Sequence, residues 1–157
     1  MNNQELSKIF HEDQKDRIET DQTKKTWLAW VKKRDKNRKQ KVLSLIKNRK
    51  ITTAEDLFRA AMIFHHSDSL VDIKKAQQLA KKSMSLGHKK GRWLYAAAID
   101  RLMIMKGKPQ KFGTQYKMRR KEGKTYYKLF PVNPRTKDAD KIKFRIKPLD
   151  KIPKIIK

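Results

Sequence analysis

The stretch AEDLFRAAMIFHHSDSLVDIKKAQQLAKKSMSLGHKKGRWLYAAAID, residues 54–100, decides the fold. Leu57, Ala60, Ala61 and Phe64 recur at intervals of three and four, the spacing of one helical stripe. Thr52 or Thr53 is placed to cap this helix, and Thr52 and Glu55 have the capping-box spacing. Asp68 or Ser69 then caps a second run, whose inner side is read as Val71, Ala76, Leu79, Ala80 and Ser83. Gly87 stops that run by adopting the left-handed conformation. A third run over 90–106 carries Trp93, Leu94, Ala97, Ile104 and Met105. Gly107 ends it, and Pro109 prevents its resumption.

Short helices, tight connections and alanine at the crossings resemble a tetratricopeptide-like hairpin array. The stretch holds little more than one such unit, and about three are needed for a solenoid. A compact bundle is therefore expected. Toward the N-terminus two more helices are expected, over 4–20 and 23–48. In the first, Leu6, Ile9, Phe10, Asp13 and Arg17 share a face. In the second, Trp27, Trp30, Val31, Val42, Leu45 and Ile46 keep helical spacing, with Arg34 and Arg38 in the same stripe. Toward the C-terminus the period changes. TQYKMRRKEGKTYYKLFPV alternates loosely around a glycine turn at Lys121–Lys124 and predicts a β-hairpin within 114–132. A short helix near Asp138–Ile146 is expected, followed by an extended or frayed basic tail over 151–157. The fold class is mainly α, a five-helix bundle followed by a hairpin and an irregular tail, with 1–150 as a single domain.

Lys and Arg number 42 against 16 Asp and Glu, a net charge of +26. The last third is the most basic, with 18 cations and 4 acids over 106–157. Such a field attracts polyanions, so nucleic acid is one expected partner. The segments that would carry it are Lys32, Lys33, Arg34, Arg38 and Lys41 in the second helix, and Arg119, Arg120, Lys121 and Lys124 in the hairpin. Trp27, Trp30, Trp93 and Tyr126 have rings that could stack on bases, but the tryptophans sit at helical core spacing and are assigned to the core. No cysteine is present, so disulfides and thiolate metal sites are excluded. The opening MNNQELSKIF lacks a basic segment followed by an apolar core, and no run approaches the roughly 18 apolar residues of a membrane span. A cytoplasmic location without membrane attachment is expected.

Three groups of polar residues could carry chemistry. Asp13 and Arg17 lie four apart and can pair. Asp100 shares a face with Ala97 and Trp93; a buried carboxylate needs a partner, and Arg17 is the expected one. The alternative is a site carboxylate with a tuned pKa. His65 and His66 point about 100° apart, so one pocket can use only one of them. No metal spacing accompanies them, and a general base is the better role. Gln110, Thr114 and Gln115 surround Gly113 in GKPQKFGTQY, residues 107–116. So many directional groups suit a loop that closes over a pocket or pins the hairpin to the bundle. No Walker loop, dinucleotide fingerprint, nucleophile elbow or zinc pattern is present, so no cofactor or metal is implied.

EDQKDR (12–17), FHHSD (64–68), DR (100–101) and GKPQKFGTQY (107–116) together resemble the markers of a small bacterial family of unknown function. Its members combine Asp-Gln-x-x-Arg, His-x-Asp, Asp-Arg and Gly-x-x-Gln-x-Tyr/Phe-Gly-Thr-Gln, and the last motif is the specific one. The resemblance singles out Asp13, Gln14, Arg17, His66, Asp100, Arg101, Gln110, Gly113, Thr114 and Gln115, and no reaction. The expected site is one polar pocket in which these converge. His66 or Asp100 would be the base, with Asp13 beside them. Arg17 and Arg101 would hold a small anionic ligand, and Gln110 and Gln115 would orient it. A nucleic-acid-binding protein and a helical adaptor for a protein partner are the rival expectations.

Overall fold

The computed structural model describes residues 1–18, 26–122 and 124–156, and for Arg120 the backbone alone. The expected junction of the first two helices and Gly123 of the hairpin turn lie outside the described residues. The chain forms α1 (Gln4–Ile18), α2 (Trp27–Lys47), α3 (Ala54–His65), α4 (Leu70–Ser85) and α5 (Lys89–Met105). Strands β1 (Tyr116–Lys121) and β2 (Lys124–Leu129), a short α6 (Asp138–Lys143), a 3-10 turn (Leu149–Lys151) and β3 (Ile155–Ile156) follow. The fold is mainly helical, with one small antiparallel sheet of order β1-β2-β3 after the bundle. No helix among the described residues is long and apolar enough to cross a membrane.

α3 is the central helix. It packs against α1, α2, α4 and α5. Leu6 and Ile9 of α1, Val42 and Leu45 of α2, and Ala60, Ile63 and Phe64 of α3 form one core with Ala76 of α4. Phe58, Ala61, Ala80 and Leu94 form a second, against which Phe10 and Tyr95 pack. The small residues at 60, 61, 76, 80 and 96–98 are all fully buried, so the backbones approach closely at the crossings. Thr53 supplies the α3 cap, its hydroxyl accepting from the Asp56 N–H at 3.0 Å. The expected Thr52–Glu55 box is not the one used, because Glu55 turns instead to His88 and Arg59.

Several core assignments change. Val71 is 70% exposed, and Ile73 takes the buried place on α4. Trp30 and Trp93 are exposed at the surface, so helical spacing alone misplaces them in the core. Trp30 instead carries the Arg34 guanidinium 5.1 Å from its ring centre, a cation–π contact that keeps an indole edge in water. Arg38, read as part of a phosphate-binding face, is only 4% exposed.

A third core joins the C-terminal part to α5. Ala96, Phe112, Ile146 and Ile152 are buried together, with Tyr116, Leu129 and Phe144 packed around them. Residues 152–156 are therefore held. Ile152 is an anchor in this core, and Ile155 and Ile156 pair with Lys128 and Tyr127 of β2. The extended half of the tail expectation is met, and its cause is strand pairing.

Candidate functional site

The polar residues expected in one pocket form two separate clusters. The first is built on Asp100 in the last turns of α5. Its carboxylate is fully buried. One oxygen accepts from the N–H groups of Lys111 at 2.7 Å and Phe112 at 2.8 Å. The other accepts from the Thr114 N–H at 3.0 Å and the Thr114 hydroxyl at 2.8 Å. Gln110, also fully buried, donates through Nε2 to the carbonyls of Gln115 at 3.1 Å and Phe130 at 2.9 Å. Its Oε1 accepts from the Gln115 N–H at 2.9 Å. The Gln115 amide in turn donates to the Thr114 hydroxyl at 3.1 Å.

Residues 110–115 are thus wrapped around Asp100 from one side and stitched to the sheet from the other. Gly107 and Gly113 make the path possible. Both have positive φ, +70° and +88°, where a side chain would be strained. The Gly107 N–H bonds the Ile104 carbonyl at 2.9 Å and the Lys108 N–H bonds that of Met103 at 2.9 Å, a Schellman stop. Phe112 then drops into the third core. Of the two roles open to this loop, pinning the hairpin to the bundle is the one its hydrogen bonds serve. Asp100 takes its partners from this loop; Arg17, the partner expected from sequence, pairs elsewhere.

The second cluster lies where α1, α2 and the end of α3 meet. Asp13 is 1% exposed. It accepts from Arg17 Nη1 at 2.6 Å and Gln14 Nε2 at 2.8 Å, and His66 Nδ1 lies 3.2 Å away. Arg17 Nη2 continues to Asp35 of α2 at 2.6 Å. Arg38 bonds Asp35 at 3.1 Å and the Glu12 carbonyl at 3.2 Å, and is bonded to Asp16. Arg34 also reaches Asp16, at 2.5 Å. Arg101 enters from α5. Its Nη2 donates to the Ser67 carbonyl at 3.1 Å and lies 3.5 Å from Asp68. Neighbours in sequence, Asp100 and Arg101 serve different clusters because consecutive helical residues diverge by about 100°.

Burial alone would raise the Asp13 carboxyl. The hydrogen bond and charge of His66, with Arg17 and Gln14, outweigh it and hold the group below its ordinary range. Asp16 is lowered against burial in the same way, by Arg38 and Arg34. Burial lowers the Arg101 guanidinium, which Asp68 opposes and the charge of Arg17 reinforces. His65 is 6% exposed, and burial, with the charges of His66 and Arg101, pushes it well below the ordinary imidazole value. Its Nδ1 and the Arg101 Nε are buried without a hydrogen-bond partner among the described residues.

His66 stands at the boundary between this network and solvent. Beside it is a hollow of about 210 Å³. The turn residues His66, Ser67 and Asp68 line one side, and Lys32, Asp35, Lys36 and Lys39 of α2 line the other. Lys32 pairs with Asp68 at 2.8 Å and Lys39 with Asp72 at 2.5 Å. Lys36 has no acidic partner among the described residues. Asp13, Gln14, Arg17, His66 and Arg101 are therefore brought together; Asp100, Gln110, Gly113, Thr114 and Gln115 are not part of that group. Asp16, Asp35, Arg38, Ser67 and Asp68 were missed as members. One signal was present in the sequence. Asp35 is the single acid in the run Lys32–Lys41, and a lone acid there marks where buried arginines find a partner.

Of the cations expected to bind nucleic acid, Lys33, Lys41, Arg119, Lys121 and Lys124 are exposed. Lys32 and Arg34 are engaged in ion pairs and Arg38 is enclosed, which withdraws it from phosphate contact. The Arg120 side chain lies outside what is described. Among the described residues no group of His, Asp and Glu is arranged to hold a metal ion.

No family model matches the chain, and neither a curated protein nor a solved structure matches it.

Proposed function

We propose that the chain binds a small anionic ligand at the junction of α1, α2 and α3 and hydrolyses it with His66 as general base. The observation that carries this reading is the Asp13–His66 pair. A buried carboxylate held below its ordinary pKa accepts from Nδ1, 3.2 Å away, on a ring that lines an open hollow. With the Nδ1 proton held there, the lone pair is on Nε2, which takes no hydrogen bond from the described residues. Nε2 can accept the proton of a water attacking an ester of phosphate or carboxylate, and Asp13 stabilises the imidazolium that results. The proton then passes to the leaving oxygen as its bond breaks.

Arg17 and Arg101 raise the positive potential behind the ring, and Lys36 is the lining cation left to meet an anion. The hollow, about 210 Å³, has room for an anionic group together with water. Asp100, whose oxygens are taken up by Lys111, Phe112 and Thr114, has no part in this chemistry. The resemblance in EDQKDR and FHHSD supports the same choice of residues.

The test is an NMR titration of the histidine rings with inorganic phosphate, acetate and small phosphate monoesters. The His66 resonances are expected to report an Nδ1-protonated ring and to move with the anion. They should cease to do so in Lys36→Gln, with Lys33→Gln as the exposed control. A His66 ring protonated on Nε2, or unmoved by every anion in the panel, would defeat the reading.

A further inference from the structure

The register of the hairpin places Lys117 opposite Lys128, Arg119 opposite Tyr126 and Lys121 opposite Lys124. Directly opposed residues share one side of a sheet, and the next pair along lies on the other. One side therefore carries five cations and a single aromatic ring. The opposite side includes Tyr116 and Leu129, which pack on the core of Phe112, Ile146 and Ile152. The cationic side is thus turned away from the bundle, and all five cations on it are exposed.

Two features are unusual for a face that serves only as a solvated surface. Like charges directly opposite each other destabilise a strand pair, and this ladder contains two such pairs, Lys117–Lys128 and Lys121–Lys124. Its one nearby acid, Glu122, sits in the turn 3.8 Å from Lys121; the remaining four cations have no acidic partner among the described residues. The second feature is an apolar element in the midst of the charge. Ile155 pairs with Lys128 and so lies on the same side. An open hollow of about 820 Å³ is lined by Lys121, Glu122, Lys124, Thr125, Tyr126 and Ile155.

We infer that this side of the sheet binds single-stranded nucleic acid, with the cations tracking phosphates and Tyr126 stacking on a base. Alternate strand residues recur about every 7 Å, a repeat of the same order as successive phosphates on an extended single strand. A polyanion laid along the ladder removes the repulsion between the opposed lysines. A sheet face with one ring and an adjoining apolar hollow accepts a splayed base, and a paired base offers it no face to stack on. Acidic peptides and anionic membranes share the charge, but they have no planar group for the ring.

The full chain is titrated with a fluorescent twelve-residue oligouridylate and oligothymidylate, a duplex of the same length, polyglutamate, and vesicles containing phosphatidylserine. The single strands are expected to bind best. Their log K should fall with log salt at a slope of about −3 to −4 if five phosphates are met. Tyr126→Ala should weaken binding about 5- to 150-fold, and Tyr126→Phe, which keeps the ring, should not. Lys117→Gln with Lys128→Gln should flatten the salt slope by one to two, whereas Lys81→Gln at an exposed position of α4 leaves it unchanged. The inference is overturned by unaltered affinity in Tyr126→Ala, or by duplex, polyglutamate or vesicles binding as tightly as the single strands. None of these readouts depends on His66, so this inference and the hydrolytic reading fail separately.

Discussion

Asp13 and His66 lie 53 residues apart in the chain, and their side chains meet at 3.2 Å across the α1–α3 contact. The carboxylate that reaches the ring is the one that binds Arg17, so the pairing proposed for proton transfer and the helix packing share a single group. Changing Asp13 therefore tests both.

Asp13→Asn should lower stability by about 3 kcal/mol or more, since it leaves charges paired in the native state without their partner. It should also alter acid unfolding. Asp13 and Asp16 are depressed in the folded chain, so the unfolded chain binds more protons as pH falls through and below the ordinary carboxylate range. Their contribution is complete above that range and is lost as pH falls toward the folded values. Denaturant midpoints between pH 6 and 2 should drop steeply in the wild type and less so in Asp13→Asn. Equal slopes would show that the ion network does not persist in solution.

His65 gives a second pH dependence at a higher range. Its folded value is well below that of a free imidazole because burial disfavours the charged form. Stability tied to it is present above about pH 6.5 and is lost as pH falls, by up to about 1.4 kcal/mol per unit. His65→Leu, of similar volume and with no unpartnered Nδ1, should flatten this slope and be the more stable form at pH 5. Chemical denaturation at pH 7 and 5 measures it.

Asp100 separates a loop clamp from a catalytic acid. In Asp100→Asn one oxygen becomes an NH₂ group facing donors, so part of the set from Lys111, Phe112 and Thr114 goes unmet. A loss of about 2–4 kcal/mol is expected, together with faster amide exchange at those three positions and in β1. The His66 resonances should stay in place. Intact stability with altered ligand response would return Asp100 to the site.

The helices were legible because their apolar spacing is local, and the caps and glycine stops were nearly so. Val71 and Trp30 were misplaced because a stripe of helical period does not state how wide the buried arc is, and Ile73 took the inner position. The motif around Gly113 stands out in the sequence, but its two possible purposes differ only in what the Asp100 oxygens face. That depends on a backbone path no pattern encodes. The sequence points to Asp13, Arg17 and His66, while Arg38 reads there as a phosphate-binding cation and Asp35 draws no notice. A buried guanidinium and an exposed one have the same letter, and only the packing of α2 on α1 distinguishes them.

Arg38 and Lys33, five residues apart on α2, make that distinction measurable. Arg38 is 4% exposed and neutralises Asp16 and Asp35, whereas Lys33 is exposed. Removing the guanidinium takes one enclosed counter-charge from both Asp16 and Asp35, which keep Arg34 and Arg17, so Arg38→Ala should lose about 3 kcal/mol. Arg38→Lys should recover only part, because an ammonium cannot reproduce the fork that spans Asp16, Asp35 and the Glu12 carbonyl. Lys33→Ala should remain within about 0.5 kcal/mol of the wild type. Equilibrium unfolding of the three variants checks the order, and a near-neutral Arg38→Ala would mean that α1 and α2 are not joined as described.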